Sequence, residues 1–144
     1  MDWKECCQKR IVKDVTRDTQ MILSLAKTSS NKAISESQLP LNETTASSKL
    51  SLAYDSLREL LEALALHKGY KIYNHECYTS FLKEMMMQSN KGDDFDEIRK
   101  VRNSVNYYGK DISVEETDKF IAQIKELRAF VIGLLGKDYP NTFK

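Results

Sequence analysis

Apolar residues recur at helical spacing along most of the chain and divide it into about five helical segments. The first segment predicts a helix from about residue 2 that continues beyond Lys27 to Ser37. Its apolar positions, spaced by three, four or seven residues, are Trp3, Cys7, Ile11, Val15, Ile22 and Leu25. The stretch QLPLNETTASS, Gln38 to Ser48, combines proline with small polar residues and predicts a loop.

A second helix follows this loop and ends at HKG, where Gly69 provides the stop. Its apolar face is continuous and consists of Leu50, Tyr54, Leu57, Leu60, Leu61 and Leu64. YKIYN then leads to a third, shorter helix near HECYTSFLKEMMMQ. The methionine run Met85 to Met87 is interpreted as adaptable core filling or a frayed end.

The next segment, DDFDEIRKVRNSVNYYG, has a start and a stop for a fourth helix. SNKGDD predicts a turn before it, with Asp93 or Asp94 as the helix cap and Gly109 as the stop. Ser113 and Glu116 have the spacing of a capping box for a fifth helix. The apolar face of that helix is Phe120, Ile124, Leu127, Val131 and Leu134. We therefore predict one all-α domain over residues 1–144, an antiparallel up-and-down bundle of about five helices with a four-helix core and a frayed C-terminal tail.

Composition and charge narrow the classes of function. Hydrophobic residues make up 41% and charged residues 30%, values typical of a folded soluble domain and not of a disordered chain. The 22 Lys and Arg residues nearly balance the 21 Asp and Glu residues, so any binding of nucleic acid must depend on a local patch. No apolar stretch approaches the roughly 20 residues of a membrane span. Because the first residues also lack the apolar core of a signal peptide, we expect a cytoplasmic protein without a membrane partner.

The cysteines and histidines do not indicate a metal site or a disulfide framework. The chain has 3 cysteines, an odd number, and adjacent cysteines such as Cys6 and Cys7 rarely bond to each other. His75 and Cys77 are separated by one residue, but no second pair completes a tetrahedral set. We expect reduced cysteines, with Cys77 in the core, and neither a metal nor a cofactor.

On a helical wheel the fourth helix has one apolar stripe and one polar flank. The stripe consists of Ile98, Val101, Val105 and Tyr108, so Tyr108 is expected to be buried. The flank consists of Arg99, Arg102, Asn103, Asn106 and Tyr107. Arg102 lies at the edge of the stripe, where its stem is expected to be covered while its guanidinium reaches a groove suited to phosphate. Spacing alone also allows a merely solvated flank that pairs with carboxylates of a neighbouring helix.

The same flank carries a short sequence with a known counterpart. RNSVNY, Arg102 to Tyr107, resembles the Arg-Asn-x-x-x-His signature of HEPN domains, the higher eukaryotes and prokaryotes nucleotide-binding family. The resemblance extends backwards over residues 52–84, which are similar to the second and third helices of small archaeal and bacterial members. It covers most of the chain beyond residue 45, and before that only the order of helices.

The resemblance implies a four-helix up-and-down bundle, commonly a homodimer, in which two signature helices face each other across a cleft. Active members are metal-independent endoribonucleases of toxin, defence and RNA-processing systems. By this resemblance Arg102 contacts the scissile phosphate and Asn103 helps to orient the catalytic pair; Arg99 and Asn106, on the same flank, are further candidates for phosphate binding. Tyr107 occupies the histidine position, and a phenol with a pKa of about 10 is a poor general base at neutral pH.

Three functions remain open after these observations. The first is an RNA- or nucleotide-binding HEPN-type homodimer of toxin-antitoxin or defence origin, which holds phosphates through Arg102 and Asn103 and cleaves weakly or not at all. The second is an active endoribonuclease in which Tyr107, or a polar residue from elsewhere, replaces the histidine. The third is a helical partner of a minimal nucleotidyltransferase. In some family toxins such a partner modifies a tyrosine two positions after the histidine, where this chain has Gly109.

Overall fold

The computed structural model describes residues 1–143, which contain six helices and one small sheet. The helices are α1 (Trp3–Gln8), α2 (Thr19–Gln38), α3 (Ala46–His67), α4 (Glu76–Ser80), α5 (Ser89–Tyr108) and α6 (Val114–Asp138), and α4 continues as a π-helical turn over Phe81–Met85. The antiparallel sheet pairs β1 (Val12–Asp14) with β2 (Tyr70–Ile72). The predicted all-α class is confirmed. None of the helices in this part of the chain combines the length and apolarity needed to cross a membrane.

The long helices α2, α3, α5 and α6 form an up-and-down bundle with α3 at its centre. Near the start of α3, Lys49 pairs with Glu36 near the end of α2 at 2.9 Å. The guanidinium of Arg102, near the end of α5, lies 5.0 Å from the ring centroid of Tyr54 in the first half of α3. Because each contact joins an early part of α3 to a late part of its neighbour, α3 runs antiparallel to both helices.

The sequence of α3 accounts for its central place. Leucine, alanine and glutamate have high helix propensity, and apolar residues on more than one face allow the helix to contact α2, α5 and α6 together. The predicted apolar face is confirmed, since six residues are at most 1% exposed: Leu50, Tyr54, Leu57, Leu60, Leu61 and Leu64. Burial of each leucine contributes about 1.5–3 kcal/mol, so this helix supplies a large share of the core.

The prediction of one continuous first helix is wrong. The chain leaves α1 after Gln8, and Arg10 takes a left-handed backbone conformation with φ of 60°. Residues 12–14 then pair with β2, with Val12 opposite Ile72, so that hydrogen bonds to a distant strand replace those of a helix. The side chain of Asp18 caps α2 by accepting a hydrogen bond from the backbone N–H of Met21. Apolar spacing is compatible with both structures because β1 also turns its apolar side chain to the core.

The fourth helix begins earlier than predicted. SNKGDD is not a turn, since α5 starts at Ser89, and Asp93 and Asp94 lie inside it instead of capping it. Gly92 is buried against the preceding segment, where an added Cβ would lie 3.1 Å from the carbonyl oxygen of Thr79 and closer still to the side chain of Lys83. The glycine therefore permits close packing of two helices here and does not interrupt α5.

The expectation of reduced cysteines is also wrong for two of the three residues. Cys6 of α1 and Cys77 of α4 form a disulfide that joins positions 71 residues apart, while Cys7 is exposed and free. Both bonded cysteines are fully buried, so the prediction that Cys77 belongs to the core is confirmed. Spacing did not indicate the bond because the two partners are brought together only by tertiary packing.

Capping at the start of α6 follows the sequence prediction. The hydroxyl of Ser113 accepts from the backbone N–H of Glu116, which is the first bond of a capping box, and it also donates to the carboxylate of Glu116. The predicted apolar face is buried except that Leu135 takes the place of Leu134. The tail is not frayed at Tyr139, because its hydroxyl lies 3.0 Å from Nδ1 of His67 at the end of α3.

Candidate functional site

Helices α3 and α5 bring a guanidinium onto a buried tyrosine. The ring of Tyr54 is fully buried and stacks on Phe95, with 6.0 Å between the centroids. Arg102 lies over the same tyrosine, with its Cζ 5.0 Å from the ring centroid. The ring centroid of Tyr107 lies 5.5 Å from the same carbon. The guanidinium is thus within cation–π distance of two aromatic rings, an arrangement that favours a cation.

The polar contacts of Arg102 are few and long for so well covered a side chain. Its side chain is only 13% exposed, and its nearest carboxylate oxygen, on Asp55, lies 3.7 Å from Nη2. Nη1 donates to the amide oxygen of Asn103 at 3.4 Å and to the hydroxyl of Tyr107 at 3.2 Å. Nε is buried and has no hydrogen-bond partner among residues 1–143. The predicted trio of Arg102, Asn103 and Tyr107 therefore lies together, and its cation retains unused donors.

The neighbouring arginines are paired more closely. Arg99 donates from Nε and Nη2 to Oδ1 of Asp96, at 3.2 and 2.8 Å. Burial opposes ionisation of Asp96, but hydrogen bonds from Arg99 and Lys100 outweigh it and lower the pKa of this carboxyl. Arg58 of α3 pairs with Glu62 at 3.1 Å. Arg99, predicted to bind phosphate, is therefore already hydrogen-bonded to an acid at 2.8 Å, whereas the carboxylate nearest to Arg102 lies at 3.7 Å.

His75 belongs to this neighbourhood, although the sequence did not indicate it. Its Nδ1 lies 3.0 Å from the hydroxyl of Tyr54, so one tyrosine contacts both the imidazole and the guanidinium of Arg102. Burial lowers the pKa of His75 to about 4, and the positive charges of Arg58 and Arg102 act in the same direction. Burial also raises the pKa of Tyr54, which keeps its phenol protonated. We call Tyr54, Asp55, His75, Arg102, Asn103 and Tyr107 the Arg102 cluster.

Two adjacent tyrosines stand out from the end of α5. Tyr107 is 68% and Tyr108 76% exposed, so the prediction that Tyr108 is buried is wrong. The helical wheel applies only if α5 packs against the bundle along its whole length, but the burial of its apolar residues decreases from fully buried Ile98 to half-buried Val105. Gly109 then ends α5 with φ of 64°. Both aromatic rings are accessible beside the Arg102 cluster.

The other predicted flank residue, Asn106, is exposed and ties α5 to α3 by accepting a hydrogen bond from Ser51 at 3.1 Å. A concavity of about 600 Å³ lies next to this end of the bundle, beyond Gly109. Its lining includes the carboxylates of Glu43, Asp111 and Glu115. Because those carboxylates repel phosphate, an anionic ligand of Arg102 is expected to lie on the exposed surface of α5 instead.

Comparisons with known proteins found no matching family model, no similar curated protein and no similar solved structure. Fold and site together define an all-α bundle with a covered, incompletely paired arginine beside two exposed tyrosines. A fold of this class is compatible with many activities, so the chemistry of the site has to carry the functional conclusion.

Proposed function

We propose that this chain is a HEPN-type protein that binds single-stranded RNA through the Arg102 cluster and the exposed end of α5. The observation that carries the proposal is the buried, unpartnered Nε of Arg102 beside a carboxylate no closer than 3.7 Å. A buried donor without a partner is costly and calls for an explanation. A phosphate group is a fitting partner, because the planar guanidinium can donate two parallel hydrogen bonds to two of its oxygens.

The exposed tyrosines supply the second element of recognition. Single-stranded RNA is commonly bound by stacking of its unpaired bases on aromatic side chains, each stack contributing about 1–3 kcal/mol. Tyr107 and Tyr108 are both largely exposed and lie five and six residues after Arg102 on α5. The amide of Asn103 is close enough to offer hydrogen bonds to a base or ribose. One arginine and two aromatic rings are better suited to binding a nucleotide or a short single strand than to binding in the groove of a duplex.

The charge of the chain limits how salt-dependent such binding can be. The net charge is +1, and Arg58 and Arg99 have carboxylates at 3.1 and 2.8 Å, whereas the carboxylate nearest to Arg102 lies at 3.7 Å. With about one to three phosphate contacts, the slope of log K against log salt is expected to be about −1 to −2 for a single strand. A much steeper slope would indicate a different, more basic surface.

The proposal includes a homodimer with two α5 helices facing each other. Exposed aromatic residues are enriched at the centres of protein interfaces, and Tyr108 is the more exposed of the pair. A face formed by two copies of α5 doubles the number of arginines and tyrosines along one strand of RNA. Light scattering across micromolar concentrations is expected to show a dimer. A Tyr108→Asp variant is expected to be monomeric because it places a charge at the interface. If the wild-type protein is a monomer at all these concentrations, this part of the proposal is contradicted.

Endoribonuclease activity is the second candidate, and the position of His75 favours it. The motif helix lacks a histidine, but His75 contributes an imidazole from α4's cap position next to the same tyrosine that Arg102 covers. When its Nδ1–H donates to the phenol oxygen, Nε2 is free to accept the proton of a ribose 2′-hydroxyl. A bound phosphate would offset the arginine charges and raise the pKa of His75 from its low value, improving it as a base.

Fluorescence anisotropy with labelled single-stranded RNA, without divalent metal, tests the binding proposal. We expect wild-type protein to bind and Arg102→Met to bind about ten- to a hundredfold more weakly, the loss expected for charge-assisted hydrogen bonds. The matched control is Lys27→Met, which removes one positive charge from an exposed position on α2. Equal affinities for wild type, Arg102→Met and Lys27→Met would refute the site.

Cleavage is tested with the same RNA by gel electrophoresis. If the second candidate holds, wild-type protein cleaves the RNA without metal, and both Arg102→Met and His75→Asn abolish cleavage while circular dichroism shows an intact fold. His75→Asn preserves a polar partner for Tyr54 and removes the titratable nitrogen. Binding without cleavage in the wild type leaves the first function and excludes the second.

A further inference from the structure

A second arginine, remote in sequence from the Arg102 cluster, faces a cavity between α2 and α6. Nη2 of Arg128 donates to the hydroxyl of Ser29 at 3.3 Å, which is its single hydrogen bond among residues 1–143. Ser29 is fully buried and itself donates to the backbone carbonyl of Ser56 on α3, at 2.5 Å. The guanidinium is therefore oriented by a fixed hydroxyl and not by an acid.

The remaining hydrogen-bond donors of Arg128 have no partner among residues 1–143. Nε is buried and unpartnered, and the guanidinium makes no ion pair with a carboxylate among residues 1–143. Glu36 lines an adjoining cavity with Arg128, but its carboxylate is bound to Lys49 at 2.9 Å. Burial lowers the pKa of Arg128 from its ordinary value, which leaves it charged at neutral pH. A covered cation without a counterion is costly unless a ligand completes it.

The cavity beside this arginine has the size and lining of a small-molecule site. Its volume is about 310 Å³, at the lower end of the range for ligand pockets. Hydroxyl groups and apolar side chains share the wall with the guanidinium: Ser30, Ser37, Thr142, Ile34, Ile132 and Phe143. Such a lining combines one charge, a few hydrogen-bonding groups and an apolar surface, as expected for an amphipathic ligand.

We propose that this cavity binds a small organic carboxylate, whose carboxylate pairs with Arg128 while its apolar body lies against Ile34, Ile132 and Phe143. A carboxylate matches the fork of donors on one guanidinium and balances its single charge. A phosphate carries a second negative charge, which would have no positive partner beside Glu36. This site lies on α2 and α6, whereas the Arg102 cluster lies on α3, α5 and the start of α4. A negative result for RNA binding would therefore leave this proposal unaffected.

Binding of straight-chain carboxylates from butanoate to octanoate, and of benzoate, is measured by NMR titration and thermal unfolding of the full chain. We expect at least one of them to bind saturably and to raise Tm, with the largest shifts at Arg128 and in α2. Hexan-1-ol and inorganic phosphate, the uncharged and the compact probes, are expected not to bind at the same concentrations. Arg128→Met is expected to weaken carboxylate binding by about tenfold or more, whereas Lys137→Met, an exposed change on α6, leaves it unaltered.

The variant Ala33→Met covers the case in which Arg128→Met does not fold. Ala33 lines the cavity, so the longer side chain fills it while Arg128 stays in place, and carboxylate binding is expected to be lost. No binding by any carboxylate of the series would overturn the proposal. So would equal binding of hexan-1-ol and hexanoate, or equal binding of phosphate, or unchanged affinity in both the Arg128→Met and Ala33→Met proteins.

Discussion

Replacement of Arg102 by methionine is expected to change the stability of the free protein little while it weakens RNA binding by about ten- to a hundredfold. Methionine keeps an unbranched apolar stem over the ring of Tyr54, where its sulfur makes favourable contacts with aromatic residues. It also removes the buried Nε that has no partner. A residue maintained for binding has no need to stabilise the fold, so the two properties should separate in this variant.

The magnitude follows from the contacts of the guanidinium. Loss of its position over Tyr54 and Tyr107 costs about 0.5–1 kcal/mol for each ring. Its pairing with Asp55, at 3.7 Å and with that carboxylate 31% exposed, contributes about 0–1 kcal/mol. Removal of a buried, unpartnered donor returns about 1–3 kcal/mol. The two hydrogen bonds from Nη1 to Asn103 and Tyr107 are long, at 3.4 and 3.2 Å, and their loss costs about 1 kcal/mol more. The costs and the gain largely offset each other, so the free energy of unfolding should fall by about 1 kcal/mol or less.

Urea unfolding followed by circular dichroism measures this difference, with Arg99→Met as the matched control on the same helix. Arg99 makes two hydrogen bonds to Asp96 and leaves no buried donor free, so its replacement is expected to cost about 1–3 kcal/mol. A loss of more than about 2 kcal/mol in Arg102→Met together with a neutral Arg99→Met would refute this expectation. Arg102 would then be a structural residue, and its unpaired nitrogen would say nothing about a ligand.

Three further predictions concern stability. Lys49→Met leaves the carboxylate of Glu36 buried without its partner at 2.9 Å, so the free energy of unfolding in urea should fall by about 3–5 kcal/mol. Adding Glu36→Leu should recover part of this loss. If the double variant recovers nothing, the loss is not due to the unpaired charge. Reduction of the disulfide between Cys6 and Cys77 should lower that free energy by about 2–5 kcal/mol, since the cross-link closes a loop with a sequence separation of 71, and an unchanged urea midpoint would argue against the bond. Because burial lowers the pKa of His75 from 6.5 to about 4, the folded state favours its neutral form, and this contribution is present above pH 6.5 and lost as the pH falls toward 4. A pKa change from 6.5 to about 4 corresponds to roughly 3 kcal/mol, and screening by solvent reduces this for a half-buried ring. The stability advantage of wild type over His75→Asn should therefore shrink by about 2 kcal/mol across that window, and parallel pH profiles would exclude it.

Long, strongly periodic segments were predictable from the sequence, whereas short segments that depend on distant partners were not. The second and fifth predicted helices correspond to α3 and α6, where many apolar residues on a consistent face reinforce a high helix propensity. The region around Val12 has apolar spacing too, but its backbone bonds to Ile72, about sixty residues away. Gly92 signals a turn in isolation and becomes a packing residue only because another helix approaches it.

The candidate site divides in the same way. Arg102, Asn103 and Tyr107 lie on one helix, so their proximity follows from helical geometry and was predictable. Tyr54 and His75 belong to other elements, and their contacts depend on how α3, α4 and α5 pack. An aromatic residue on the apolar face of α3 gives no sign that a guanidinium will cover it. The only available hint was that the stretch resembling a known signature lacks the histidine of that signature, while the chain contains two histidines elsewhere.

The most direct measurement of the central claim is the Nε–Hε resonance of Arg102 in ¹⁵N-labelled protein as single-stranded RNA is added. In the free protein this group is buried without an acceptor. If a phosphate completes it, its resonance should shift and its exchange with water should slow in proportion to the bound fraction, while that of Arg99, already bonded to Asp96, changes little. RNA that binds and leaves the Arg102 resonance unmoved would contradict the account.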